Sequence, residues 1–141
     1  MIDYRTVEDQ MINPWEFEME LPIAPLSANQ MYTKARRRTH KYNSYAKRWR
    51  EALEDHKFPE DIDQKDVKLK ITIRVGVSSP LADLDNVFKP LIDSIAEALE
   101  FNDKRIWEID AKKFKTSKGN EFTSFKLEQI FITGERPRDN Q

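Results

Sequence analysis

"VKLKITIRVGV", residues 67 to 77, alternates without a break. Val67, Leu69, Ile71, Ile73, Val75 and Val77 fall on one side, and Lys68, Lys70, Thr72 and Arg74 on the other. Successive side chains of a strand point to opposite faces, so the stretch predicts a long β-strand with one face in a core. "SSP" closes it. Upstream, "WEFEMEL" (15–21) alternates in the same way, with Trp15, Phe17, Met19 and Leu21 opposite three glutamates. The prolines of "PIAPLSANQ" end that ladder. A basic stretch to Lys41 reads as a loop, and Ser44 as the N-cap of a helix to about His56 carrying Tyr45, Trp49, Ala52, Leu53 and His56 at helical spacing.

"FPEDIDQKD" is a polar connector to the long strand. After it, Phe88, Leu91, Ile92, Ile95 and Leu99 mark a helix over about Asp85 to Glu100, with Pro90 distorting its start. "RIWEIDAKKFK" and "TSFKLEQIFI" read as two further strands, and Gly119–Asn120 between them has hairpin chemistry. The order β-α-β-α-β-β predicts an α/β domain: one mixed sheet of about four strands packed with two helices. The expected boundaries are an N-terminal arm at 1–14, a single domain at 15–134 and a C-terminal tail at 135–141. Trp49 and Trp107 read as core, and Met11, Met19 and Met31 as gap-fillers.

At 141 residues the chain has room for one core. It lacks cysteine, which excludes disulfides and thiolate metal sites and fits a reducing compartment. The acidic start "MIDYRTVEDQ" has no apolar stretch of the signal-peptide kind, and no apolar run approaches membrane-spanning length. A soluble, cytoplasmic protein is expected. The net charge of −1 hides segregation. Met1 to Glu20 holds six acids and one base; Lys34 to Arg50 holds eight Lys or Arg and no acid; Glu51 to Asp66 holds seven acids and two lysines. A concentrated basic block in a neutral chain points to a local polyanion contact.

The long strand leads into "LADLDNVFKPLIDSIAEALEFNDKRIW" (81–107). Asp83 and Asp85 lie two apart, on one side of the chain if it is extended there, and Asp85 stands where an N-cap belongs. Lys89 follows Asp85 by four residues and Asp93 follows Lys89 by four, a stripe along one helix face. Asp103 lies beyond the helix in a turn. Singly, each has an ordinary explanation as a cap, a surface ion pair or a turn former. As a set, hard oxygen donors without His or Cys suit Mg²⁺ or Mn²⁺ and not zinc.

"DLDNVFKPLIDSIAEAL…FNDKRI" resembles the signature of RusA-type Holliday-junction resolvases: D-x-D-N, a lysine four after the second aspartate, an aspartate four further on, and a later aspartate past the helix. The earlier "LPIAPLSANQMY…RRRTH" is similar to that family's Pro-rich, Asn-x-x-Tyr and Arg-x-His opening, so the likeness runs from about Leu21 to Ile132. The resemblance implies a homodimeric, Mg²⁺-dependent endonuclease that resolves four-way DNA junctions by paired nicks in recombination and repair. It implies metal-binding carboxylates at Asp83, Asp85 and Asp103 and an essential lysine at Lys89, all four catalytic. Such a protein would be nucleoid-associated, of bacterial or phage origin. Residues 76–82, "GVSSPLA", depart from the family's best-known member, which has a run of arginines there.

In that chemistry an ion neutralises the phosphodiester and activates water, while Lys89 stabilises the charge added in the transition state. Asp93 would orient Lys89. "KARRRTHK" (34–41), flanked by Tyr32 and Tyr42, mixes cations with aromatics as phosphate-contacting segments do, and Lys34, Arg36, Arg37, Arg38, His40 and Lys41 are the expected DNA contacts. Two other readings compete. One is a branched-DNA-binding module with weak or no cleavage, which the missing arginines would permit. The other is a D-x-D glycosyltransferase, for which 141 residues leave little room and the basic loop has no use.

Overall fold

The computed structural model describes residues 15–59, 67–79 and 83–131. The expected arm (1–14), the tail (135–141), Met11, and the end of the last strand and domain at 132–134 lie outside them. Six principal elements follow one another: β1 (Glu16–Leu21), α1 (His40–Ala52), β2 (Val67–Val77), α2 (Phe88–Leu99), β3 (Ile106–Lys115) and β4 (Phe122–Phe131). This is the expected β-α-β-α-β-β order, an α/β domain with one four-stranded mixed sheet and two helices. The strands lie in the order β1-β4-β2-β3, with β2 antiparallel to β4 and parallel to β3.

Alternation explains the core. Leu69, Ile71, Ile73 and Val75 of β2 and Phe125 and Leu127 of β4 have no exposed surface. Against them pack Tyr42, Tyr45, Trp49 and Leu53 from α1 and its end, and Leu91, Ile95 and Leu99 from α2. Trp49 lies 5.4 Å from Phe125 in an edge-to-face arrangement, the largest side chain in the core.

Four expectations are corrected. First, β3 and β4 do not form a hairpin, because β2 lies between them. The turn chemistry at Gly119, whose φ is +95°, is real, but it carries the chain past the end of β2. Gly76 of β2 sits opposite Phe122, whose ring lies where a side chain at 76 would stand. Second, α1 begins at His40, not after Ser44. Thr39 is its N-cap, accepting from the Tyr42 amide at 3.1 Å and donating its hydroxyl to the Gln30 carbonyl. Third, Asp85 is not a cap. Asp83 precedes a 3-10 turn, Leu84–Val87, which contains Asp85 and leads into α2 at Phe88. Pro90 is thereby the third residue of the α-helix, inside the first turn where its missing N–H costs nothing.

The fourth correction is Trp107, which is 58% exposed. Ile106 pairs with Leu69 and Glu108 with Lys70, so Trp107 is the extra residue of a β-bulge on the sheet edge. Its ring lies 4.7 Å from the Lys68 ammonium instead of in the core.

Candidate active site and nucleic-acid interface

The basic block is a tight hairpin. Tyr32 and Arg38 form an isolated bridge, Thr33 donates its N–H to the Arg37 carbonyl at 2.8 Å, and the Thr33 hydroxyl accepts from the Arg37 amide. Thr39 N–H closes the base onto the Met31 carbonyl at 3.0 Å. Arg36 at the tip has φ +60°, a left-handed conformation that is costly for a side chain with a Cβ. Lys34, Arg36 and Arg37 are exposed on this hairpin, and His40 and Lys41 on the first turn of α1. Arg38 behaves differently. It turns back over the Tyr42 ring, 4.9 Å from its centroid, and pairs with Glu97 of α2 at 3.5 Å.

That contact joins the basic hairpin to the carboxylates. Lys89 and Asp93, one turn apart on α2, pair at 3.2 Å. The hydrogen bond from Asp93 holds the Lys89 ammonium above the usual lysine range, Asp93's charge adds to it, and Tyr32 and Asp103 contribute smaller electrostatic effects. Asp93, Tyr32 and Asp103 line one hollow, which Lys89 approaches through its pairing with Asp93. Burial raises the Tyr42 hydroxyl, and Asp93 raises it further against the opposing pull of Arg38.

Asp103 is placed by the way α2 ends. Glu100 adopts φ +59°, the left-handed stop that glycine usually supplies, and its N–H returns to the Ala96 carbonyl. Phe101 then folds against Phe58, 5.5 Å between ring centroids. The Asn102 side chain accepts from the Lys104 amide at 2.9 Å and opens a 3-10 turn at Asp103.

Asp83 and Asp85 stand on the turn ahead of α2, both exposed. The Asn86 side-chain amide donates to Asp83 at 3.5 Å. Among the described residues no ion pair engages Asp83, Asp85 or Asp103, and no three acidic or histidine side chains lie close enough to share one ion. The donor chemistry nevertheless suits Mg²⁺. All three are hard, exposed carboxylates, and Mg²⁺ keeps several waters and takes one or two carboxylates together with substrate phosphate.

Glu97 does not stand out in the sequence as a site residue, and Tyr32 does so only as a flank of the basic block and the tyrosine of Asn-x-x-Tyr. A signal for Glu97 is present all the same: Lys89, Asp93 and Glu97 continue one four-residue stripe. Among the described residues no helix is long and apolar enough to cross a membrane.

A small mixed α/β domain whose second helix carries a lysine between carboxylates, beside an arginine-rich hairpin, has the parts of a phosphate-handling enzyme. The family model for endodeoxyribonuclease RusA matches residues 22–122, most of the chain, and the protein belongs to that family. No curated protein sequence matches it. Among solved structures, it is similar to one described as IspF (Plasmodium falciparum) CDP complex, at 12% identity and a TM-score of 0.28, covering 67% of this chain and 56% of that one. The chain thus spans little more than half the length of that structure, and a likeness so slight carries no inference.

Proposed function

We propose that this protein is a Mg²⁺-dependent endodeoxyribonuclease that resolves four-way DNA junctions by paired nicks. Family membership supports the reaction class, and one observation ties it to these residues: Lys89 pairs with Asp93, which lines one hollow with Asp103 and with Tyr32 and Arg38 of the arginine hairpin. Asp83, Asp85 and Asp103 form no ready-made three-carboxylate cage. One or two of them, with substrate phosphate completing the shell, would hold the ion, Mg²⁺ or Mn²⁺, whose charge would polarise the phosphate and lower the pKa of water. Lys89 supplies a fixed positive charge where negative charge builds on the phosphoryl oxygens. Asp93 holds that ammonium in position. Lys34, Arg36, Arg37, His40 and Lys41 grip phosphates away from the reacting centre, and Arg38 joins that grip to α2.

One such site makes one cut. Two cuts of like polarity call for a C2 homodimer, the commonest oligomer and the symmetry a four-way junction approximates. The edge strand β3 offers apolar surface for it: Trp107, Ile109 and Phe114 are 58%, 43% and 38% exposed, three of the four large exposed apolar side chains among the described residues. The opposite edge, β1, is lined by Glu16, Glu18 and Glu20, charges of the kind that discourage edge pairing.

Incubation of the protein with a synthetic four-way junction and a linear duplex of the same sequence, in Mg²⁺ and in EDTA, tests the reading. Mg²⁺-dependent nicks in two strands of like polarity, confined to the junction, are expected. Tight junction binding with no nicks in Mg²⁺ or Mn²⁺ would replace the nuclease by the branched-DNA-binding module. A monomer by sedimentation, persisting on junction DNA, would remove the paired-nick mechanism.

A further inference from the structure

Beside Asp103 lies a hollow of about 360 Å³, lined by Tyr32, Arg38, Tyr42, Asp93, Glu97, Phe101 and Asn102 among others. Its size is at the low end of clefts that take small organic groups, roughly 300–1,000 Å³. Asp93 and Asp103 of the proposed catalytic scheme help to line it, but that scheme gives the space itself no occupant. Its open flat surfaces are the Tyr32 ring and the Arg38 guanidinium. Tyr32 is 45% exposed and meets the buried Tyr42 edge to face at 6.0 Å, Arg38 lies over Tyr42, and Phe101 also lines the hollow. Such surfaces stack on a planar ring.

The charge of the hollow says which part of DNA fits. Among the described residues that line it, Glu97 is paired with Arg38 and Asp93 with Lys89, which leaves no cation there to spare for a second phosphate. A neutral nucleobase needs none, and its edge can donate to a carboxylate and meet the Asn102 amide. Whatever enters also lies next to Asp103, so it would neighbour the phosphate of the proposed site.

We propose that this hollow receives one unstacked nucleobase flanking the scissile phosphate, stacked on the exposed Tyr32 ring beside the Arg38 guanidinium. The proposal rests on the nuclease reading for the phosphate's position. It adds that the protein draws a nucleotide out of the duplex at the crossover, with Tyr32 as the principal stacking residue. Extracting a base costs unpairing and unstacking, and the cost is least where the base is already mispaired.

The test is junction affinity by fluorescence anisotropy in EDTA, where cleavage does not intervene. Each nucleotide within two positions of the crossover is mispaired in turn. Wild-type protein is expected to bind one of these junctions about tenfold more tightly than the fully paired junction, since a cost of a few kcal/mol is partly removed. Tyr32→Ala should lose that gain and Tyr32→Phe should keep it, with circular dichroism showing both variants folded. No position-specific gain, or a gain undiminished in Tyr32→Ala, would overturn the pocket. Nicking of the paired junction by the wild type in Mg²⁺ is scored in parallel. Nicks without the mispair effect sink the pocket alone, and absence of junction binding sinks both.

Discussion

The two ends of the carboxylate motif are built in opposite ways. At one, Lys89 is fixed by Asp93 at 3.2 Å, Tyr32 and Asp103 lie within electrostatic reach, and Arg38 ties the neighbouring Glu97 to the basic hairpin. At the other, Asp83 and Asp85 are exposed on a 3-10 turn, and Asp83 has only a long contact from Asn86. A group that must present a charge in one direction benefits from bracing. Groups that must take up an ion benefit from being left without a competing cation. On this view the bare turn and the braced helix are two halves of one site.

The variants Asp83→Asn and Asp85→Asn probe the bare half, where the largest effect is expected. Each should lower Mg²⁺-dependent nicking by about two orders of magnitude or more, the scale of losing a group that stabilises charge in the transition state. Neither should change the melting temperature beyond the small shifts usual for exposed sites, and junction affinity should hold or rise as negative charge leaves the phosphate's surroundings. Nicking at the wild-type rate by either variant would remove that residue from the site.

On the braced half, Lys89→Ala should also cost about two orders of magnitude in rate. Asp93→Asn should cost less, about tenfold, as expected of a residue that orients another. If Asp93→Asn cost as much as Lys89→Ala, Asp93 would be a direct participant.

The hairpin divides along the same line. Arg36→Gln with Arg37→Gln should reduce the slope of log affinity against log salt by about one unit for each phosphate that is no longer neutralised. Arg38→Gln, whose guanidinium is occupied by Glu97 and Tyr42, should change that slope less. Equal effects would mean that Arg38 leaves α2 when DNA binds.

The smallest effect concerns pH. Asp93 raises the Lys89 ammonium above its ordinary value of 10.5, so the favourable pairing is complete below that value. It is lost only as pH rises through the higher folded value, and nothing in it changes near neutrality. An NMR titration of Lys89 should show its midpoint fall in Asp93→Asn. An unchanged midpoint would mean that the pair does not persist in solution.

Much of this was legible in the residues. Strict alternation marked β1 and β2, and the spacing of Phe88, Leu91, Ile95 and Leu99 marked α2. Sheet order was not legible, because the turn at Gly119–Asn120 reports only its own conformation. Pairing was decided by β2, whose apolar face lies at the middle of the sheet with a neighbour on each side. The start of α1 was misplaced because Thr39 and Ser44 are both good caps. Thr39 prevails through a second bond, to Gln30, that depends on the chain returning to it. Trp107 has the side chain of a core residue but the position of a bulge, and a bulge arises from pairing with another strand. The pairing of Lys89 with Asp93 could be read directly from their four-residue spacing. The hollow at Tyr32 could not, since it exists only where the hairpin of residues 32–38 meets α2.

The most direct test is to locate the ion on the chain. Fe²⁺ with ascorbate, replacing Mg²⁺, generates hydroxyl radicals that cut backbone near wherever it binds. Cuts are expected around residues 83–85 and around residue 103, suppressed by added Mg²⁺ and abolished in Asp85→Asn. Cuts confined to other parts of the chain, or undiminished by Mg²⁺, would contradict the view that carboxylates among Asp83, Asp85 and Asp103 hold the metal.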